Sequence, residues 1–262
     1  MSIQMGFQAG DFNAKTMRQV AAEFIATGLF VFIGTGSVVV ANAVFVASGQ
    51  SPPPIPNAGF VIAVALAHGL AILLAVAATA HISGGYINPA VTFSAALTGK
   101  LKVSTAALFI GGQCVAAIMA CLLLKAIIAG PMEMGLGAHG ISVFNPATGA
   151  GLLDDQIGNG AGAGLLTEIV LTFALVFVVF ATAMDPKGPK HLAPIAIGLV
   201  IMADSLVGIP LTGASMNPAR SFGPAVVANV WTDHWIYWLG PLIGGSLAAI
   251  IYEFVFMDHE ET

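Results

Sequence analysis

The chain has 262 residues, 57% of them hydrophobic and 31 of them Gly, with only 13 acidic and 8 basic side chains. At 8% charged residues, against about 25% in a soluble domain, it cannot cover a water-facing surface with polar groups. A net charge of −5 without a Lys/Arg cluster excludes a nucleic-acid binder, and two cysteines exclude a disulfide scaffold.

Uncharged apolar stretches of membrane-crossing length run over 17–41, 58–80, 103–129, 161–183, 193–211 and 233–256. The first is no signal peptide, because it starts late, exceeds the about 7–15 residues of such an apolar region, and is followed by no small-residue cleavage pattern. Six crossings put both termini on one side. Lys15 and Arg18 precede the first span, Lys100 and Lys102 the third, and Lys187 and Lys190 lie between the fourth and fifth. By the positive-inside rule these regions are cytoplasmic, with both termini. The expectation is a multi-pass integral membrane protein embedded in a lipid bilayer.

Residues 48–57 (SGQSPPPIPN) read as a stiff, non-helical outer turn. From Gly130 to Gly160 the chain is Gly-rich, with Pro131, Pro146, Asp154 and Asp155. This loop joins two halves of a single domain, about 17–129 and about 161–256.

The halves repeat each other. Glu23 with Thr27 matches Glu168 with Thr172 at an offset of 145, and Ser83-Gly84-Gly85-Tyr86-Ile87-Asn88-Pro89-Ala90 matches Thr212-Gly213-Ala214-Ser215-Met216-Asn217-Pro218-Ala219 at 129. Three spans per half is an odd number, so the second copy enters the membrane from the opposite side, an arrangement typical of transporters and channels. The segments 88–98 and 217–229 are apolar but too short to cross. Asn is a good N-cap and Pro is tolerated in the first helical turn, so each Asn-Pro-Ala starts a half-helix. Inverted topology points the two starts at each other near the midplane, where irregular backbone has to line a cavity or be buried in protein. A water-filled pathway follows.

These two boxes, the glutamates of the first and fourth spans, and the run Asn217-Pro218-Ala219-Arg220-Ser221-Phe222-Gly223-Pro224 make the chain resemble the aquaporins, the major intrinsic protein family, over nearly its full length. A third copy, Asn145-Pro146-Ala147, has no half-helix pattern behind it and reads as chance. The resemblance implies an all-α membrane protein of six transmembrane helices plus two half-helices, four protomers assembling as a homotetramer, each with its own pore. It implies no enzyme, no cofactor and no metal; no catalytic spacing appears in the residues either.

In that reading Asn88, Pro89, Ala90, Asn217, Pro218 and Ala219 form the pore centre, where two helix N-termini set up a barrier to cations and protons. Arg220 follows the second box. Counting from the boxes as the family does, the filter is His68, twenty residues before Asn88, with Ser205, Ala214 and Arg220. Glu23 and Glu168 are expected to support the box loops by accepting backbone hydrogen bonds. His81 is expected to line the cytoplasmic mouth or respond to pH, and His139 to fold down to the outer mouth and touch the arginine. Glycerol-conducting relatives carry Asp after the arginine, whereas Ser221 stands here. Ala225, Tyr237 and Trp238 also fit the water-selective pattern.

His68 and the wording Gly213-Ala214-Ser215-Met216 are features of the plant tonoplast intrinsic proteins, which suits a vacuolar or plasma membrane. Ser205 departs from them, since those proteins often carry Ile or Val there. A small Ser and a small Ala leave one side of the filter open, which brings in hydrogen peroxide, ammonia or urea beside water. The alternative is a proton- or ion-coupled transporter working through Glu23, Glu168 or Asp204. Asp204, beside Ser205 where a neutral residue is expected, has no assigned role. Cys114 and Cys121 share a face seven residues apart and read as packing residues, as do Gly111, Gly112, Gly240, Gly244 and Gly245.

Overall fold

A computed structural model describes residues 11–47, 56–128, 135–141, 152–153 and 160–258. Among them run α1 (Ala14–Ala47), α2 (Ala58–Thr79), α3 (Pro89–Leu97), α4 (Val103–Ile127), α5 (Ala161–Val179), α6 (Ala193–Thr212), α7 (Pro218–Ala228) and α8 (Ile236–Ile251). With their terminal turns, α1, α2, α4, α5, α6 and α8 are long and apolar enough to cross a bilayer. The half-helices α3 and α7 have 9 and 11 residues, about 14 and 17 Å at the α-helical rise. The expected six spans and two half-helices are therefore present, with shifted ends. The first span begins earlier because Asn13 Oδ1 accepts the Thr16 N–H at 2.9 Å and caps α1. The last begins later, because the chain turns before it, with Asp233 at φ 52°. Both α5 and α8 close in five-residue π turns, Phe180–Met184 and Tyr252–Phe256.

The two halves pack by equivalent seams: α1 on α4 and α2, α5 on α8 and α6, with α2 against α6 across the molecule. Each half-helix lies on the last full span of the other half, α3 on α8 and α7 on α4. Small residues make these approaches close. A Cβ at Gly223 would lie 2.6 Å from the Ala117 carbonyl oxygen, one at Gly240 would lie 2.6 Å from the Glu168 Cβ, and one at Gly244 would collide with the Ile169 carbonyl. Gly111 differs from the expectation of a packing residue, since a Cβ there meets nothing within 4 Å. Large apolar side chains such as Leu29, Leu74, Val170 and Phe254 point outward, as lipid-facing helices require. Cys114 is half-buried and Cys121 buried, both as free thiols.

The Pro-rich turn lies outside the described residues up to its last two positions, and Asn57 there caps α2 by accepting the Phe60 N–H at 2.8 Å. Asn145-Pro146-Ala147, Asp154 and Asp155 also lie outside them. At the end of the bundle that carries the lysines, Lys100 pairs with Glu253 at 3.0 Å, Lys102 with Asp11 at 3.8 Å, and Lys187 with Asp258.

Candidate functional site

The two half-helix starts meet in the middle of the bundle. Asn88 Oδ1 accepts the Ala90 N–H at 2.8 Å, and Asn217 Oδ1 accepts those of Ala219 and Arg220 at 3.1 and 3.3 Å. Each Asn is thus an N-cap with Pro in the first turn behind it. Their amide groups cross over. Asn88 Nδ2 donates to the Met216 carbonyl at 2.8 Å, and Asn217 Nδ2 donates to the Ile87 carbonyl at 2.9 Å. The caps of one half clasp the loop of the other, and Ala90 and Ala219, both fully buried, let the helices come this near.

Aiming those carbonyls needs an unusual backbone. Ile87 and Met216, each just before its Asn, have φ of 56° and 51°. A left-handed β-branched residue is a genuine outlier, and such strain of about 1–3 kcal/mol persists only where the surroundings over-determine it. The two buried glutamates supply that restraint. Glu23 accepts hydrogen bonds from the Tyr86 and Ile87 N–H groups at 2.9 and 2.6 Å, from Ser83 Oγ at 2.6 Å and from Gln113 Nε2 at 2.9 Å. Glu168 accepts from the Ser215 and Met216 N–H groups, both at 2.9 Å, and from Thr212 Oγ1 at 2.7 Å.

Beside this junction lies a cavity of about 370 Å³, lined by the polar Asn88, Asn217, His68 and Ser205, by Ala214 and by the apolar Phe30, Ile72, Leu175 and Ile201, and reaching Tyr86, Met184 and Lys190 at the lysine end. Three of the four expected filter residues are in its wall. The fourth, Arg220, is buried and drawn aside: its Nε donates to His68 Nε2 at 3.2 Å and its NH1 donates to the Gly137 carbonyl at 2.8 Å. His68 Nδ1 lies 2.9 Å from the Val64 carbonyl, so Nδ1 carries the proton and Nε2 is free to accept. Gly34 makes room for that ring, since a Cβ there would lie 2.7 Å from it.

The segment 135–141 does reach the arginine, through Gly137. His139 shares no hydrogen bond with it: its Nδ1 lies 2.8 Å from Ser221 Oγ, and its ring packs 5.0 Å from that of Tyr237. A carbonyl is the acceptor a guanidinium needs, whereas a second imidazole beside it adds only repulsion once charged. Burial, and then the nearby Arg220 charge, hold His139 well below the ordinary histidine value. His81 is exposed in the turn after α2 and is not part of the cavity wall. The sequence offered no signal for Gln113, which bridges Glu23 and Thr92 Oγ1, the latter at 3.1 Å, or for Gly137, which acts by its backbone. Among the described residues no three His, Cys, Asp or Glu side chains are grouped to hold a metal.

Residues 12–252 match the model of the major intrinsic protein family. The chain is 45% identical to the probable aquaporin TIP3-2 of Arabidopsis thaliana over 92% of its length and 84% of the relative's. It is 44% identical to aquaporin TIP4-4 of Zea mays, over 94% of this chain and 89% of that one. The fold is similar to the X-ray structure of the aquaglyceroporin from Plasmodium falciparum, with a TM-score of 0.72 at 20% identity over 92% of this chain and 96% of that one.

Proposed function

The chain belongs to the major intrinsic protein family, as a multi-pass integral membrane channel and not an enzyme, and we propose that it conducts water passively while excluding ions and protons. The observation that carries the reading is the cavity at which two helix N-termini converge with Asn88 and Asn217 in its wall. Each side-chain amide has two N–H donors, and the crossed clasp uses one. The second is left for a passing water. The converging helix ends add partial positive charge at the same place, which repels cations and orients a bound water away from relaying a proton.

Permeants meet a few polar groups set among apolar side chains, so a file of small neutral molecules is guided without being trapped. Ser205 and Ala214 are small, and Arg220 is held toward His68 and Gly137. This supports hydrogen peroxide, ammonia and urea as further permeants beside water. The coupled-transporter reading fares worse, because it needs a carboxylate in the pathway free to load a proton, and among the described residues no Asp or Glu, Asp204 included, lines the cavity. The oxygens of Glu23 and Glu168 are occupied in holding the loops. The proposal further places the termini and the lysine-bearing end in the cytoplasm, the protein in a vacuolar membrane by its likeness to tonoplast intrinsic proteins, with the plasma membrane as the second choice, and four copies in a homotetramer.

The test is stopped-flow light scattering of proteoliposomes under an impermeant osmolyte, then under urea and glycerol, without any ion or proton gradient. Fast shrinkage is expected, with re-swelling in urea. Shrinkage no faster than empty vesicles, with folded protein present, refutes the channel reading; dependence on a proton gradient restores the transporter.

A further inference from the structure

One intramembrane carboxyl takes no part in the loop supports. Asp204, next to Ser205 on α6, is 8% exposed, and its Oδ2 is buried with no hydrogen-bond partner. Its face of α6 is the one turned to α5: Gly208, one turn further on, is so close that a Cβ there would lie 2.5 Å from Leu171 Cδ1. The elements packed on α6 offer no counter-charge at this level. Glu168, the titratable residue of α5, is itself acidic and saturated by Thr212, Ser215 and Met216. On α2 the titratable residue is His68, engaged with Val64 and Arg220. Lys190 and His191 stand in the 3₁₀ turn at the far end of α6, and the π turn Phe180–Met184 has no titratable side chain.

Packing does not demand a carboxyl here. The internal repeat that aligns Ser83 with Thr212 places Ala75 of α2 at the position of Asp204, in the equivalent α1–α2 seam, where it is 6% exposed. A small apolar residue fills that seam in the first half. In the second half, an ionised carboxylate without a partner would be stripped of water with nothing to offset the loss, whereas the neutral acid packs as any small polar side chain does.

We propose that Asp204 is a proton-binding site in the α5–α6 seam behind the cavity wall, protonated in the packed structure, whose ionisation draws water or a cation into that seam and displaces the adjoining Ser205, which does line the cavity. The proposal rests on the channel reading of the cavity for its effect on flux, and on the seam alone for its protonation.

Wild type and Asp204→Asn are compared in proteoliposomes with equal pH on both faces, from about pH 5 to about pH 9, a span over which buried carboxyls ionise. The two water fluxes are expected to coincide at the acid end and to part by about twofold or more at the alkaline end, the variant keeping its acid-end value. Profiles that coincide throughout overturn the proposal. Histidine titration is common to both proteins and cancels in the comparison. An infrared difference spectrum gives a second readout, a protonated-acid carbonyl stretch at neutral pH in wild type that is missing from Asp204→Asn. Its absence from wild type also overturns the proposal. Wild-type flux no faster than empty vesicles fails the channel reading instead, and the infrared band then decides the proton site by itself.

Discussion

Arg220 Nε donates to His68 Nε2 at 3.2 Å across the cavity mouth, and the 2.9 Å bond from His68 Nδ1 to the Val64 carbonyl fixes the tautomer that can accept it. The arginine is thereby parked against one wall. With Ser205 and Ala214 in the wall, this pairing sets how much of the mouth is open and which donors face it.

Removing the guanidinium takes away a charged hydrogen-bonding group worth about 1.5–3 kcal/mol, so Arg220→Ala is expected to raise urea and glycerol re-swelling rates by about tenfold or more with water flux retained. His68→Ala frees the same group by another route. The two substitutions share one bond, so a double-mutant cycle on urea flux should show a coupling of about 0.5–3 kcal/mol. Additive effects would mean that the bond does not shape the mouth.

Glu168 holds a strained loop, and Glu168→Gln replaces one acceptor oxygen by a donor facing N–H groups. At least one buried N–H is left unpaired, at about 1–3 kcal/mol, and the left-handed Met216 loses its restraint. Thermal unfolding in detergent should fall by several degrees, with reduced water flux. An unchanged midpoint with unchanged flux would contradict the support role.

Gly111 and Gly244 should respond in opposite directions to Ala. At Gly111 a Cβ meets nothing, and Ala in a helix interior is favoured over Gly by about 0.5–1 kcal/mol, so stability rises. At Gly244 it collides with the Ile169 carbonyl, and overpacking of about 1–3 kcal/mol separates α5 from α8. Thermal midpoints of the two variants against wild type decide the matter.

His139 makes stability fall in acid. Its folded value lies well below the ordinary 6.5 because of burial and then the Arg220 charge, so the unfolded chain takes up the proton first as pH drops. The contribution is complete above about pH 6.5 and is lost below it, at about 1.4 kcal/mol per pH unit for one proton. His139→Asn should flatten the acid limb of the stability–pH curve by that amount. His234, also lowered by burial, keeps a part of the slope in both proteins. An identical limb in the variant would remove His139 from the account.

The bundle was legible in the sequence because its signals are local: apolar runs of bilayer length, and an Asn-Pro pair that, ahead of a short apolar run, is suited to begin a helix. Even the pairing of the halves could be read, since a repeat with an odd number of spans has to invert. Where the spans end was less legible: the Asn13 cap and the turns around Asp233 moved the first and last boundaries. His139 shows the limit more clearly, because the family pattern pointed its ring at Arg220 while the bond is made by the Gly137 backbone.

The sequence by itself determined the six crossings, the two half-helices and the residues that stand around their meeting point. Only the tertiary structure decided who bonds to whom there: Asn88 to Met216, Asn217 to Ile87, Gln113 to Glu23, and Asp204 Oδ2 to no group. Helix starts and apolar runs depend on neighbours a few residues away. In a water-poor interior each polar atom has to bond to whatever the fold brings within about 3 Å, and that choice spans halves of the chain that local pattern cannot relate.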